Sequence, residues 1–188
     1  MQIDIALFKG LLNTGGIIMQ KDTTSTAMAT VPLDLIVVGT EGNCGAWVPF
    51  FDKWGNLGNV GGWTLKMVTK DPAGSIYSVG TEGNVGKWNG SSWENHGNMG
   101  GWTLKMLAFD KEGVMWGVGT EGNVGKWMGK AWENLGNLGL WTLKMLAFDQ
   151  KQTMWCVGTE SNVGRWNGTS WDNMKLIGGW TMNWLYFL

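Results

Sequence analysis

Short apolar runs alternate with polar, Gly-rich breaks along most of this chain. The pattern is clearest in the middle, where Trp102-Thr103-Leu104-Lys105-Met106-Leu107-Ala108-Phe109 meets a break at Asp110-Lys111-Glu112-Gly113. A second run, Val114-Met115-Trp116-Gly117-Val118, leads to Thr120-Glu121-Gly122-Asn123, and a third ends at Trp127. The runs are rich in β-branched and aromatic residues, too short for helices and without a sustained 3.6-residue period, so each reads as a strand. The Asp-x-x-Gly break suits a type I turn closed by a Gly at positive φ. Its copy Asp71-Pro72-Ala73-Gly74 adds Pro at the favoured second position. A fourth strand carries Trp132; before it in other copies, Asn89-Gly90 and Asn167-Gly168 are the pair that a type I′ hairpin wants.

The stretch from Val118 to Trp127 recurs almost unchanged from Val38, Val79 and Val157, a near-constant period of about 40 residues. Four short antiparallel strands in a period of that size are the content of one propeller blade. The expected fold is therefore all-β: a small β-propeller over residues 31–188, with four blades of four antiparallel strands. Its closure is expected from the chain ends. The last repeat stops after Trp180 to Leu188, which supplies a first strand alone, while the first repeat opens at Val31 with a second strand. Joined, they restore the spacing found from Trp102 to Val118, so the C-terminal strand would complete the first sheet and leave no unpaired edge. Five blades are the alternative, if residues 1–30 contribute more than a strand or if separate chains exchange the latch. Residues 1–30 read as an N-terminal extension, with a strand at Ile3 to Phe8 and a polar loop from Lys21 to Thr30.

Composition sharpens this picture. The 188 residues hold 31 Gly and 15 Trp, far above ordinary usage, which fits thin strands separated by bulky rings. Charged residues are 15% with a net charge of -1, and the lysines are scattered singly. No basic stripe points to nucleic acid or an anionic membrane. No apolar run is long enough for a transmembrane helix, and Lys9, Asn13 and Gly15-Gly16 interrupt the opening stretch as a signal-peptide core. Cys44 and Cys156 stand at non-equivalent repeat positions and read as two buried thiols, with a disulfide as the alternative.

Catalytic material is scarce. His96 is the single histidine, and its copies are Leu57, Leu135 and Met174, so neither a His-based triad nor a multi-His metal site can be assembled. Glu41, Glu82, Glu121 and Glu160 recur once per repeat, too far apart for a glycosidase pair. Gly punctuates strands and opens no helix, which argues against a phosphate loop. No catalytic residue, metal or cofactor is expected. Asn89-Gly90-Ser91 and Asn167-Gly168-Thr169 fit the N-glycosylation pattern, but turn geometry explains the Asn-Gly pair first.

In a propeller the turns after the second strand and the joins before the next blade share one face. Thr-Glu-Gly-Asn and Gly-Asn-x-Gly-Gly-Trp would then converge on a rim that can receive a neutral sugar, the indole covering a pyranose C–H face while amide, carboxylate and backbone groups hold hydroxyls. The candidate sugar-binding residues are Glu41, Asn43 and Trp63; Glu82, Asn84, Asn98 and Trp102; and Glu121, Asn123, Asn137 and Trp141. Several weak copies on one ring give avidity. The fourth copy departs at Ser161 and Lys175-Leu176, and is expected to be altered or dead. Trp102 and Asn84 are expected to be removable without loss of the fold.

The repeat from Leu104 to Gly119, followed by Val124-Gly125-Lys126-Trp127 and Trp132, resembles the tectonin and tachylectin group of β-propeller lectins over about residues 31–188. The Phe-Asp-x-x-Gly turn, the aromatic-x-Val strand and the Gly-Gly-Trp join carry the similarity. The resemblance implies a non-enzymatic, multivalent lectin with one site per blade or blade junction. Its ligands would be N-acetylated hexosamines of the GlcNAc or GalNAc type, or bacterial lipopolysaccharide, and its setting secreted or extracellular, in agglutination or innate defence. The chain departs from that group in blade number, usually five or six, and in the extension that precedes Val31. The alternative is a protein-interaction or structural propeller scaffold without sugar binding, which offers the same rim to a peptide or partner subunit. A homo-oligomer is compatible with either reading.

Overall fold

A computed structural model describes residues 16–19, 29–32, 36–48, 53–59, 63–89, 92–175, 182 and 185. The extended runs between Leu65 and Lys175 form strands. The sheets follow chain order. A pair, β1 (Gly16–Met19) and β2 (Ala29–Pro32), precedes a three-stranded sheet of β3 (Ile36–Val38), β4 (Cys44–Val48) and β5 (Lys53–Gly58). Three four-stranded sheets come next. The second blade is β6 (Leu65–Lys70), β7 (Ile76–Gly80), β8 (Val85–Trp88) and β9 (Trp93–Gly97). The third is β10 (Leu104–Phe109), β11 (Met115–Gly119), β12 (Val124–Trp127) and β13 (Trp132–Asn134). The fourth is β14 (Leu143–Phe148), β15 (Met154–Gly158), β16 (Val163–Trp166) and β17 (Trp171–Lys175). All neighbouring strands are antiparallel, and the leading strands β6, β10 and β14 lie side by side. Among the described residues no helix is long and apolar enough to cross a membrane.

The core is built blade on blade. Leu104, Leu107, Val118, Val124, Leu143, Leu146 and Val157 are fully or almost fully buried in one continuous cluster, each contributing about 2 kcal/mol by transfer from water. The Trp residues after the third-strand turn fill the wider gaps further out. Trp93, Trp132 and Trp171 are buried, and each meets its hairpin partner Trp88, Trp127 or Trp166 edge-on at 5.1–5.2 Å between centroids. Cys44 and Cys156 are both free and buried, and burial pushes their thiols up to about 11 and about 12.

The inner strands need a device for their free backbone edge, since an unpaired edge invites pairing with another chain. Here a thioether from the preceding blade supplies it. The Leu107 N–H donates to Met67 Sδ at 3.0 Å, and the Leu146 N–H to Met106 Sδ at 2.9 Å. Leu185 N–H continues the series to Met145 Sδ at 2.8 Å, so Leu185 holds a first-strand place beside β14. The rest of the latch from Trp180 to Leu188, Met182 apart, and its pairing with β3, lie outside the described residues.

Two local expectations need adjustment, and the strand expected at Ile3 to Phe8 lies outside the described residues. Ala29 and Thr30, read as loop, belong to β2, which runs on to Pro32. The Asn167-Gly168 hairpin is not a type I′ turn with Asn-Gly at the centre, and residues 90 and 91 of its Asn89-Gly90 counterpart lie outside the described residues. Asn167 closes the turn, with its N–H donating to Ser170 O, while its Oδ1 accepts the Thr169 and Ser170 N–H groups; Gly168 alone takes positive φ, at 103°. The Asn side chain supplies the acceptor that the backbone would otherwise provide, so Asn167 has no need of a left-handed backbone. The Asp-x-x-Gly turns are as expected, with Gly74 and Gly113 at φ 87° and 80°.

Candidate ligand-binding rim

The rim begins with the turn after the second strand of each blade. In the second blade Gly80 N–H donates to Asn84 O and Gly83 N–H to Gly80 O, both at 2.9 Å, and Gly83 takes φ 79°. This is a three-residue hairpin closed by a left-handed residue. Gly42 and Gly122 repeat it at φ 76° and 84°, and Ser161 holds the same place at φ 67°. The fourth turn, expected to be altered, therefore keeps its shape; Ser161 is buried and its Oγ accepts from Lys144 Nζ at 3.1 Å.

Each turn is pressed against the join that opens the next blade. Leu65, Leu104 and Leu143 donate their N–H groups to Gly42, Gly83 and Gly122 at 2.9–3.0 Å. The Thr before each Leu accepts from the turn of its own blade, since Thr81, Thr120 and Thr159 N–H groups reach the Thr64, Thr103 and Thr142 carbonyls. Turn, join and turn thus form one continuous edge. The convergence read from the repeat is present.

The candidate side chains divide into three kinds. Glu41, Glu82 and Glu121 are exposed. Asn43, Asn84 and Asn123 are half-buried, with the amide oxygen turned inward; a Cβ on Gly39, Gly80 or Gly119 would come within 2.3–2.5 Å of it. These Asn residues hold the turn as much as they face outward. Asn98 and Asn137 are exposed and donate to Thr103 and Thr142 Oγ1 at 3.2 and 3.3 Å.

Trp63, Trp102 and Trp141 are half-buried and lie over their own blades. Trp63 covers Gly80 and Gly86, so the Asn beside it is Asn84. Trp141 covers Gly158 and Gly164 beside Asn162, and Trp102 packs on Gly125 and on Trp132 at 5.7 Å. The groups brought together are Trp63 with the Glu82–Asn84 turn, Trp102 with the Glu121–Asn123 turn, and Trp141 with Glu160 and Asn162. Glu160 and Asn162 stand outside the candidate set read from the sequence, although the Val-Gly-Thr-Glu-x-Asn register points to them. Trp102 is not a freely removable side chain. Truncating it would strip the covering from Gly125 and Trp132, at a cost of about 3 kcal/mol.

Sequence reasoning also overlooked the clamp on the opposite face. Asp110 Oδ2 accepts the Trp116 indole N–H and Asp149 Oδ2 that of Trp155, both at 3.0 Å, while their Oδ1 atoms take the Val114 and Thr153 N–H groups. The Trp155 indole, and after it the Thr153 and Lys151 N–H groups, hold the Asp149 carboxyl below the usual carboxylate range. Asp-x-x-Gly marked the turn, but the Trp six residues on was the unread signal.

No protein-family model matches the chain. No curated protein matches it in sequence. In three dimensions it is similar to YCF48 bound to a D1 peptide, with a TM-score of 0.53 and 17% identity over 80% of this chain and 58% of that one. The fold is a β-propeller. YCF48 from Cyanidioschyzon merolae gives 0.51 at 14% identity, over 84% of this propeller and 61% of that chain. A catalytically inactive virginiamycin B lyase from Staphylococcus aureus with quinupristin gives 0.51 at 9%, over 86% and 62%. At such identities the likeness is one of fold, and the propeller spans about three fifths of the length of these neighbours. The propeller implied by the tectonin and tachylectin resemblance is thus present; the lectin part rests on the repeat motifs.

Proposed function

We propose that this propeller is a non-enzymatic, multivalent carbohydrate-binding protein whose rim takes neutral surface sugars of the N-acetylated hexosamine type. One observation carries the reading. The same trio, an exposed Glu, a half-buried Asn and a half-buried Trp, is presented in the same backbone setting by the second, third and fourth blades. A half-exposed indole beside fixed amides suits a pyranose ring, and the carboxylate supplies an acceptor for its hydroxyls. Each contact is shallow and weak, and spacing around one rigid ring converts it to avidity for a repeated glycan.

A second reading has its own support. Leu140 stands in the third join where the preceding copy has Gly101, is 95% exposed, and projects from the same edge. An apolar side chain there favours a peptide or protein partner, and YCF48, a propeller of similar fold, is solved with a peptide. A glycan array with haemagglutination and sugar inhibition separates the two. Sugar binding should fall in the Glu82→Gln, Glu121→Gln double variant while the melting temperature stays unchanged, because both side chains are exposed. Absence of binding to any glycan, together with a stoichiometric protein complex lost in Leu140→Gly, would reject the lectin reading in favour of the scaffold.

A further inference from the structure

We propose that the inner mouth of the propeller, on the side of the rim, binds a small polyvalent oxyanion through Lys66, Lys105 and Lys144. The ligand is a phosphate or a polycarboxylate. This goes beyond sugar recognition and does not depend on it.

The three lysines look dispersed in the sequence, one per repeat. In the fold they occupy the same position on three adjacent inner strands. Each is the unpaired residue of a β-bulge: the register steps from Leu65 to Met67, from Leu104 to Met106 and from Leu143 to Met145. A bulge re-aims the side chain it carries. Lys105 Nζ donates to the Leu143 carbonyl on the neighbouring inner strand at 3.1 Å, which puts its ammonium at the residue before Lys144. Lys144 Nζ reaches Ser161 Oγ in the turn of its own blade, so the lysines stand directly inside the rim.

None of the three ammonium groups is closed off by a salt bridge among the described residues, although the turn Glu residues stand nearby. Among the described residues the ion pairs are Lys111 with Glu112 and Arg165 with Asp172, and none involves the three lysines. Burial, and secondarily the charge of Lys66, lower the Lys105 pKa from its ordinary value. Like charges brought together in a half-buried place repel, and a bound oxyanion relieves the repulsion while accepting charge-assisted hydrogen bonds. The next residue along each strand, Met67, Met106 or Met145, is buried, so each lysine stands beside the apolar core. A compact ammonium on a flexible stem suits a point-like oxyanion.

Isothermal titration of the full chain with inorganic phosphate and, separately, citrate at constant ionic strength in chloride tests this. Saturable binding of either probe is expected; the stronger of the two identifies a phosphoryl or a carboxylate ligand. Affinity should drop at least about tenfold in Lys105→Gln and in Lys66→Gln, and stay unchanged in Lys130→Gln, an exposed lysine on a distant hairpin. Melting temperature supplies the second readout. Without ligand, Lys66→Gln, which removes repulsion and leaves the Lys105 bond to Leu143 O in place, should melt no lower than wild type. No saturable binding of either probe, or equal binding in Lys105→Gln, would overturn the proposal. A lowered melting temperature in Lys105→Gln with probe affinity unchanged would also overturn it, by making the lysine a structural residue.

Discussion

Replacing Gly122 by Ala adds one methyl group and is expected to destabilise the protein by about 3–6 kcal/mol. Three costs combine. The left-handed backbone at φ 84° costs a non-Gly residue about 1–2 kcal/mol. The new Cβ would lie 2.3 Å from Thr142 Cγ2 and 2.9 Å from Leu143 N, the very group that bonds Gly122 O across the blade seam. Relieving that overlap means moving Leu143 away, at about 1–3 kcal/mol for overpacking and about 1 kcal/mol for the weakened hydrogen bond. Gly113 provides the control, because its φ is 80° but its Cβ would meet only Pro72, at 4.0 Å. Gly113→Ala should therefore cost only the backbone term, about 1–2 kcal/mol. Urea unfolding followed by Trp fluorescence measures both. If the two variants differ by less than about 0.5 kcal/mol, the scatter of an ordinary surface substitution, the seam between turn and join is not the close contact on which the rim depends.

Two further outcomes follow from single groups. Ser78 is fully buried with an unpartnered hydroxyl where the copies have Gly117 and Cys156, so Ser78→Ala should raise stability by about 1 kcal/mol in the same unfolding assay; a loss would mean that the hydroxyl is satisfied. The Asp149 carboxyl is depressed by the Trp155 indole, so its contribution is complete above the unfolded carboxylate pKa and is lost as pH falls through the lower folded value. Thermal melts across the acid range should show that loss in wild type and a flatter profile in Asp149→Asn; identical profiles would remove the clamp from the account.

Much of the fold was legible in the chain because its rules act over short distances. Strand length, the Asp-x-x-Gly turns and the Gly closing each Thr-Glu-Gly-Asn turn depend on neighbours a few residues away, and four copies of the same text repeat the reading. The period then dictates stacked sheets, since one four-stranded unit cannot bury both faces alone. Convergence of turns and joins on one edge follows from that topology. The Asn-Gly hairpin misled because two chemistries compete at that pair, and the Asn side chain captured the bonds that a type I′ backbone would have made.

The amino-acid order by itself determined the strands, their turns, the blade content and the ring of similar edges. Only the tertiary structure decided what each side chain does there. Trp102 and Asn84 look alike as ligand contacts on paper, yet one ring lies over Gly125 and one amide oxygen is lodged against Gly80. Lysines that seem scattered hold the same bulge position on three adjacent inner strands. Contacts between blades join residues about 40 positions apart, and no local pattern encodes which face of a ring, or which end of an amide, packing across that distance will cover.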